Sequence, residues 1–374
     1  MRVIVTGGGT SGHVNPALAI AHSIKKNNPT SEIIFVGTKK GIENKLVPKA
    51  GYELHHVEVR GIKRSLSLSN LKSLYLAVTS PIKARRLIRE FKPDIVIGTG
   101  GYVCWPVMKA AADMKIPTAL HESNSIPGVA IKMLAKYVDR IFVNFEATKN
   151  KFPEEYRGKV MRVGNPLRPE FLTLDYESAR KKLGIDGKYE KFILSCGGSM
   201  GAEKINEAVI ALMRDYTSKH PEILHLHATG SIEYEAATKA YKDNGLEKFD
   251  NIKLVEYIYD MPEQMAGADL VINRAGAMTL SELAILKKTA LLIPSPNVTD
   301  NHQYKNAHEL EAVGAAALIE EKDLTDERMK ETVNELLFTE RGKVMSENIA
   351  KFACPDAEKV IFEEICRLAG NKKK

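Results

Sequence analysis

Val3-Ile4-Val5-Thr6 runs straight into Gly7-Gly8-Gly9-Thr10-Ser11-Gly12-His13, and about half a chain later Phe192-Ile193-Leu194-Ser195 leads into Gly197-Gly198-Ser199-Met200-Gly201. A short β-rich run that opens into glycines and then an amphipathic stretch is the first unit of an alternating β/α fold. Here it occurs twice. Outward from the first copy, 33–37, 54–59, 95–98, 118–121 and 141–145 read as buried strands, with helical patterns such as 16–26 and 103–114 between them. Outward from the second, strand-like runs follow at 223–227, 252–255, 270–273 and 291–293. The fold class is therefore α/β: two doubly wound, Rossmann-like domains joined near Gly164-Asn165-Pro166. They are expected to face a cleft, because open parallel sheets bind ligands at the carboxyl ends of their strands.

The first glycine loop matches Gly-x-Gly-x-x-Gly, which raises a dinucleotide fold. Such a fold needs Asp or Glu at the end of its second strand for the ribose, and this strand ends Val36-Gly37-Thr38-Lys39-Lys40. The helix after the loop is expected to begin late, with Asn15 as N-cap and Pro16 as its first residue. No Gly-Lys-Ser/Thr occurs, which excludes a P-loop ATPase. A second cluster, Gly98-Thr99-Gly100-Gly101-Tyr102, reads either as a close approach to a charged ligand or as a tight strand-to-helix turn.

In the second half, Gly197–Ala202 opens a helix whose free N–H groups and dipole suit a diphosphate, with Ser199 adding a hydroxyl. Asn273-Arg274-Ala275-Gly276-Ala277-Met278-Thr279-Leu280-Ser281-Glu282 repeats the order strand, small residues, helix. Arg274 is expected to face phosphate there, and Glu282 either binds ribose hydroxyls or is simply solvated. Asp300-Asn301-His302-Gln303 follows a Pro-rich turn, a suitable place for reading sugar hydroxyls. The chain contains no Asp-x-Asp. A sugar-nucleotide enzyme with this sequence is expected to work without metal, neutralising diphosphate with helix dipoles and cationic side chains.

Segments 8–16, 98–102, 121–124, 164–168, 197–202, 274–282 and 300–303, in this order, resemble the MurG family, the UDP-N-acetylglucosamine–N-acetylmuramyl-(pentapeptide) pyrophosphoryl-undecaprenol N-acetylglucosaminyltransferases. The likeness spans nearly the whole chain. It implies a GT-B fold with the acceptor on an N-terminal domain, 1–164, and UDP-N-acetylglucosamine mostly on 165–355. A last helix, within 356–374, would pack back on the first domain. The activity implied is that of an inverting hexosyltransferase, which moves N-acetylglucosamine from UDP to lipid I through a β1→4 bond. The product is lipid II of peptidoglycan synthesis, and no cofactor is needed beyond the donor substrate.

Carried over position by position, Thr10, Ser11, Gly12 and Asn124 approach the donor, and Gly98, Gly100, Gly101 and Tyr102 form the acceptor loop. Arg168 and Ser199 hold diphosphate or nucleotide, and Ile258 meets uracil through its main chain. Ala277, Met278, Thr279, Leu280 and Ser281 cradle phosphate and sugar, Glu282 binds ribose, and Gln303 reads N-acetylglucosamine. His13 is the expected general base, with Glu122 its competitor; the other reading of His13 is a hydrogen bond to a phosphate oxygen. The chain departs from the family pattern at Ser11, Ser123 and His302, and the Cβ of Ser11 is expected to restrict a loop that is usually glycine there.

Charge separates the halves. Residues 1–164 carry 26 Lys+Arg against 12 Asp+Glu, and 165–374 carry 28 against 35. A polyanion is thus expected on the first half alone. No nucleic-acid module accompanies the basic residues, so an anionic membrane surface is the partner expected. Between Arg60 and Lys92, Ile62, Leu66, Leu68, Leu71, Leu74 and Tyr75 mix with Lys63, Arg64, Lys72, Lys83, Arg85, Arg86 and Arg89. That mixture reads as a shallow membrane patch or as a core-facing amphipathic helix kinked at Pro81. No apolar run approaches the roughly 18 residues of a spanning helix. Peripheral attachment on the cytoplasmic side is the expectation, with cell-wall synthesis proteins as further partners. Two alternatives remain at this point: a UDP-N-acetylglucosamine 2-epimerase-like enzyme, and a non-catalytic nucleotide-sugar-binding subunit. The cysteines, Cys104, Cys196, Cys354 and Cys366, form no CxxC pair and read as small buried thiols.

Overall fold

The computed structural model describes residues 1–59 and 69–370, without the side chains of 69–79. The chain divides into two compact units, Met1–Leu167 with Cys354–Lys374, and Arg168–Ala353.

The first unit holds β1 (Arg2–Gly7), β2 (Glu32–Gly37), β3 (Glu53–His56), β4 (Ile95–Gly100), β5 (Thr118–Glu122), β6 (Arg140–Val143) and β7 (Val160–Arg162). They form a parallel sheet in the order β3-β2-β1-β4-β5-β6-β7. Its apolar runs have a direct cause: both faces are covered, so residues 3–7 of β1 and all of β4 are buried. Ile4 packs with Val103, Val107 and Met108 on one face. Val3 and Val5 pack on the other, with Ile20 and Ile24 of the helix Ser11–Asn27 and with Ile361 and Ile365 of the helix Ala357–Gly370. Strand order reverses between β1 and β4, the switch point where such sheets carry their sites.

The second unit repeats the plan with β8 (Lys191–Cys196), β9 (Ile223–Ala228), β10 (Ile252–Val255), β11 (Leu270–Asn273), β12 (Thr289–Leu292) and β13 (Ala317–Leu318). Their order is β10-β9-β8-β11-β12-β13, again parallel, with the switch between β8 and β11.

Some expectations need correction. The first helix begins at Ser11 with Thr10 as N-cap, and Pro16 lies inside it. Proline has no N–H to give the Gly12 carbonyl four residues back, but one missing bond does not stop a helix whose Val14, Ala17, Ile20 and Ile24 are buried. Ser11 lies in the first helical turn, not at a left-handed position, so its Cβ costs nothing there; in this loop only Gly9 has positive φ, at 88°. The edge strands β7 and β13, of three and two residues, are too short to show a period. Cys104 and Cys196 are buried, Cys354 is half-buried and Cys366 is exposed.

The helix Ser69–Phe91 runs through Pro81. Arg60, Ile62, Lys63, Arg64, Leu66 and Leu68 of the expected membrane patch lie outside the described residues, as do the side chains of Leu71, Lys72, Leu74 and Tyr75. Among the described residues no helix is long and apolar enough to cross a membrane.

Candidate functional site

In the first unit the two glycine loops interlock at the β1/β4 switch point. Gly101 sits at φ 83°, and a Cβ on it would lie 2.3 Å from the Gly8 carbonyl oxygen. A Cβ on Gly100 would lie 2.7 Å from the His13 ring. The second cluster is glycine-rich because it packs on the first loop and on the imidazole, while Tyr102 at its tip is 67% exposed. The His13 Nδ1 stands 3.1 Å from the Gly8 carbonyl oxygen and 3.3 Å from the Thr10 hydroxyl. A carbonyl only accepts, so Nδ1 carries the proton of the neutral ring and Nε2 its basic lone pair. The Thr99 hydroxyl donates to the His13 carbonyl at 2.7 Å, tying β4 to the first turn of the helix. Ser11 and Gly12 are exposed in that turn.

Glu43, five residues past Thr38, was not singled out from the sequence. Its carboxylate is fully buried, and it accepts from the Gly9 N–H at 2.9 Å, the Thr38 N–H at 2.8 Å and the Thr38 hydroxyl at 2.7 Å. Burial pushes this carboxyl up, but those donors outweigh it and hold it below the ordinary range. A Cβ on Gly8, Gly37 or Gly41 would collide with the Glu43 side chain. The end of β2 thus carries no acid, and Glu43, the first residue of the helix Glu43–Lys49, is turned onto the glycine loop.

Glu122 ends β5 with its carboxylate likewise committed. One oxygen accepts from the Asn124 N–H at 2.9 Å and its side-chain amide at 3.0 Å, the other from the Gly128 N–H at 2.8 Å. Burial raises its pKa against those bonds. Both oxygens are engaged in shaping the loop that holds Asn124. His121 is buried beside them and bonds the Gly164 carbonyl through Nε2 at 3.0 Å, with burial pushing its pKa down to about 4.

The second unit gathers most of the remaining site residues around β8 and β11. The helix Ala277–Ile285 starts after Gly276 with no acid in its first turn. The helix Glu203–Asp215, which follows the Gly197–Gly201 loop, has Glu203 there. Since a first-turn carboxylate already occupies the positive end of the dipole, the former is the better anion site. Ser199 and Met200 are exposed, and their carbonyls accept from the Ser231 and Ile232 N–H groups, each at 3.2 Å. Beneath this loop runs a buried polar chain: Ser195 Oγ contacts His225 Nε2 and His227 Nδ1, each at 2.9 Å, and His227 Nε2 reaches Asn206 Oδ1 at 3.0 Å.

Glu282 is brought near Arg168 and Cys196. Burial raises the Glu282 carboxyl to about 7 while the Arg168 guanidinium pulls it back. The buried Cys196 thiol, raised to about 11 chiefly by burial, also feels the Glu282 charge. Arg168 itself is exposed and lies over the Phe171 ring. Leu280 is a core residue, so only its main chain can meet a ligand, and the Ser281 hydroxyl donates back to the Ala277 carbonyl at 3.2 Å. Met278 and Thr279 are partly exposed. The Ile258 side chain is buried between exposed Tyr257 and Tyr259. Gln303 accepts from the Ser295 N–H at 2.9 Å, just after consecutive left-handed residues Asp300 and Asn301. Arg274 corrects an expectation: its guanidinium is ion-paired with Glu321 and donates to the Ile293 carbonyl at 3.1 Å, which spends it inside the fold. Among the described residues no group of three or more His, Cys, Asp or Glu is placed to hold a metal ion.

Residues 3–143 match the glycosyltransferase family 28 N-terminal domain, and 192–361 its C-terminal domain. The chain is 44% identical, over 100% of its length and 99% of the relative's, to the UDP-N-acetylglucosamine--N-acetylmuramyl-(pentapeptide) pyrophosphoryl-undecaprenol N-acetylglucosamine transferase of Acetivibrio thermocellus. Its namesake in Bacillus cytotoxicus is 41% identical over 98% of this chain and 99% of that one. Among solved structures, Acinetobacter baumannii MurG superposes with a TM-score of 0.78 at 26% identity, covering 98% of this chain and 99% of that one. A UDP-GlcNAc 2-epimerase from Neisseria meningitidis, at 18% identity and a TM-score of 0.65 over 98% of this chain and 100% of that one, shares the fold alone.

Proposed function

The chain belongs to the MurG family of glycosyltransferases, and on that premise we propose which of its residues perform the transfer. The reaction moves N-acetylglucosamine from UDP-N-acetylglucosamine to lipid I and forms lipid II; the observation that carries it is 44% identity along the full length. An acceptor hydroxyl attacks the anomeric carbon, its proton passes to a base, and UDP leaves with inversion.

We assign the base to His13. Its Nδ1 donates to the Gly8 carbonyl, so the lone pair that takes the proton is on Nε2. Glu122 is less suited, because N–H donors of its own loop engage both oxygens. The leaving diphosphate is stabilised by Arg168 and by the acid-free N-terminus of the helix Ala277–Ile285, with Ser199 contributing a hydroxyl. Glu282 binds the ribose, the Ile258 main chain the uracil, and Gln303 the sugar. Such a site needs no metal.

Attachment to the membrane is peripheral, on the cytoplasmic face. The support is the basic first half and the exposed Ile82, Val129 and Met133, which stand among exposed Lys83, Arg86, Lys132 and Lys136. Cell-wall synthesis proteins are the further partners proposed.

Measuring UDP release with and without a soluble lipid I analogue tests the assignment. Release that requires acceptor and persists in EDTA is expected. Free N-acetylmannosamine formed together with UDP would make the chain an epimerase, and absence of turnover a binding subunit.

A further inference from the structure

The Gly9 N–H and the Gly8 carbonyl are the two ends of one peptide group. Glu43 accepts from the first at 2.9 Å, and the second stands 3.1 Å from His13 Nδ1. We propose that Glu43 is a positioning residue for the transfer, acting on the His13 imidazole through this peptide group. The inference rests on His13 being the base.

The arrangement is carboxylate, peptide, imidazole. A carboxylate drawing on the N–H end of an amide makes its carbonyl oxygen a stronger acceptor, since hydrogen bonds in a chain polarise one another. A stronger acceptor at Gly8 favours the tautomer with the proton on Nδ1. It also stabilises the imidazolium that forms when Nε2 takes the acceptor's proton. The surroundings are built for this. The Thr38 N–H and hydroxyl hold the carboxylate from the other side, and three glycines leave it the space it fills. With these donors the carboxyl is held below its ordinary range and is ionised at neutral pH. A buried anion that served packing alone would need no alignment with the peptide that carries the base.

Glu43→Gln keeps the shape and removes the charge. It should lower kcat by roughly 10–100-fold, the size of loss seen when the outer hydrogen-bond partner of a metal-bound imidazole is removed. The KM for UDP-N-acetylglucosamine should stay unchanged. The acid limb of the kcat profile should move down by about half to one pH unit, because a lost negative charge makes imidazolium less stable. Glu43→Asp should bring the limb back. A folded Glu43→Gln enzyme with an unmoved limb overturns the proposal, whatever its melting temperature. Should that variant not fold, the wild-type chain decides: the Gly9 amide resonance should shift as His13 titrates, and an insensitive Gly9 amide also overturns it. His13→Gln separates the two readings. Wild-type kcat in that variant removes the base assignment, while ¹⁵N shifts of the ring in the wild type and in Glu43→Gln still report whether Glu43 sets the tautomer.

Discussion

At Glu282, burial and an adjacent guanidinium oppose one another, and burial wins: the carboxyl stands at about 7, with Arg168 pulling it down. No hydrogen-bond donor serves this carboxylate among the described residues. Two ribose hydroxyls would supply donors and favour the ionised form, so the pKa should fall on binding. UDP-N-acetylglucosamine should therefore bind more tightly as pH rises from about 6 to 8, with proton release at the lower end. Calorimetry in buffers of different ionisation heat reads both effects. Glu282→Gln should weaken binding by roughly 1–3 kcal/mol and abolish the pH dependence. A flat wild-type profile would take Glu282 out of the ribose site. The sequence placed this glutamate on a helix after small residues, but the charge that acts on it is that of Arg168, which is far away in the chain. The same holds for Glu43. Nothing in Gly41-Ile42-Glu43 marks an acid that will be folded back onto a loop 34 residues earlier.

At the level of elements, the decisive feature of the first unit is the fit between two loops. Gly101→Ala would put a Cβ 2.3 Å from the Gly8 carbonyl oxygen at a backbone angle that L-residues rarely adopt. It should destabilise the chain by about 1–3 kcal/mol and lower kcat further, because the displaced carbonyl is the one that orients His13. A melting scan and a rate measurement check this, and a variant with wild-type kcat would show that the interlock is only packing. The helices Ser69–Phe91 and Val129–Leu134 both pack on the helix Cys104–Asp113. Each presents an exposed apolar residue beside basic ones: Ile82 on the first, Val129 and Met133 on the second. Replacing Lys83, Arg89, Lys132 and Lys136 with Gln should weaken sedimentation with anionic vesicles by about 1 kcal/mol per charge and spare activity on a soluble acceptor. Unchanged sedimentation would move the membrane contact elsewhere.

For the whole molecule, pH acts through imidazoles buried in both units. Burial holds His121 and His227 at about 4 and drives His225 well below 6.5. The unfolded chain takes up these protons from about pH 6.5 downward and the folded chain does not. Stability is thus lost as pH falls toward 4, by roughly 3 kcal/mol for each of the first two. Glu122 and Glu282, raised by burial, run the other way and reduce the net slope. The drop in melting temperature from pH 7 to 5 should therefore be smaller in His227→Gln than in the wild type, and an equal drop would show that His227 is not held neutral. The sequence by itself determined the class of fold, the repeat of its plan and the family. Strand runs buried on both faces, followed by glycine turns, are local patterns, and a parallel sheet is the arrangement that covers them. Only the tertiary structure decided that Glu43 and Glu122 brace loops, that Arg274 is paired with Glu321, and that the second glycine cluster exists to receive His13. A side chain's partner is set by which strands lie side by side, and neighbours in these sheets are separated by tens of residues along the chain.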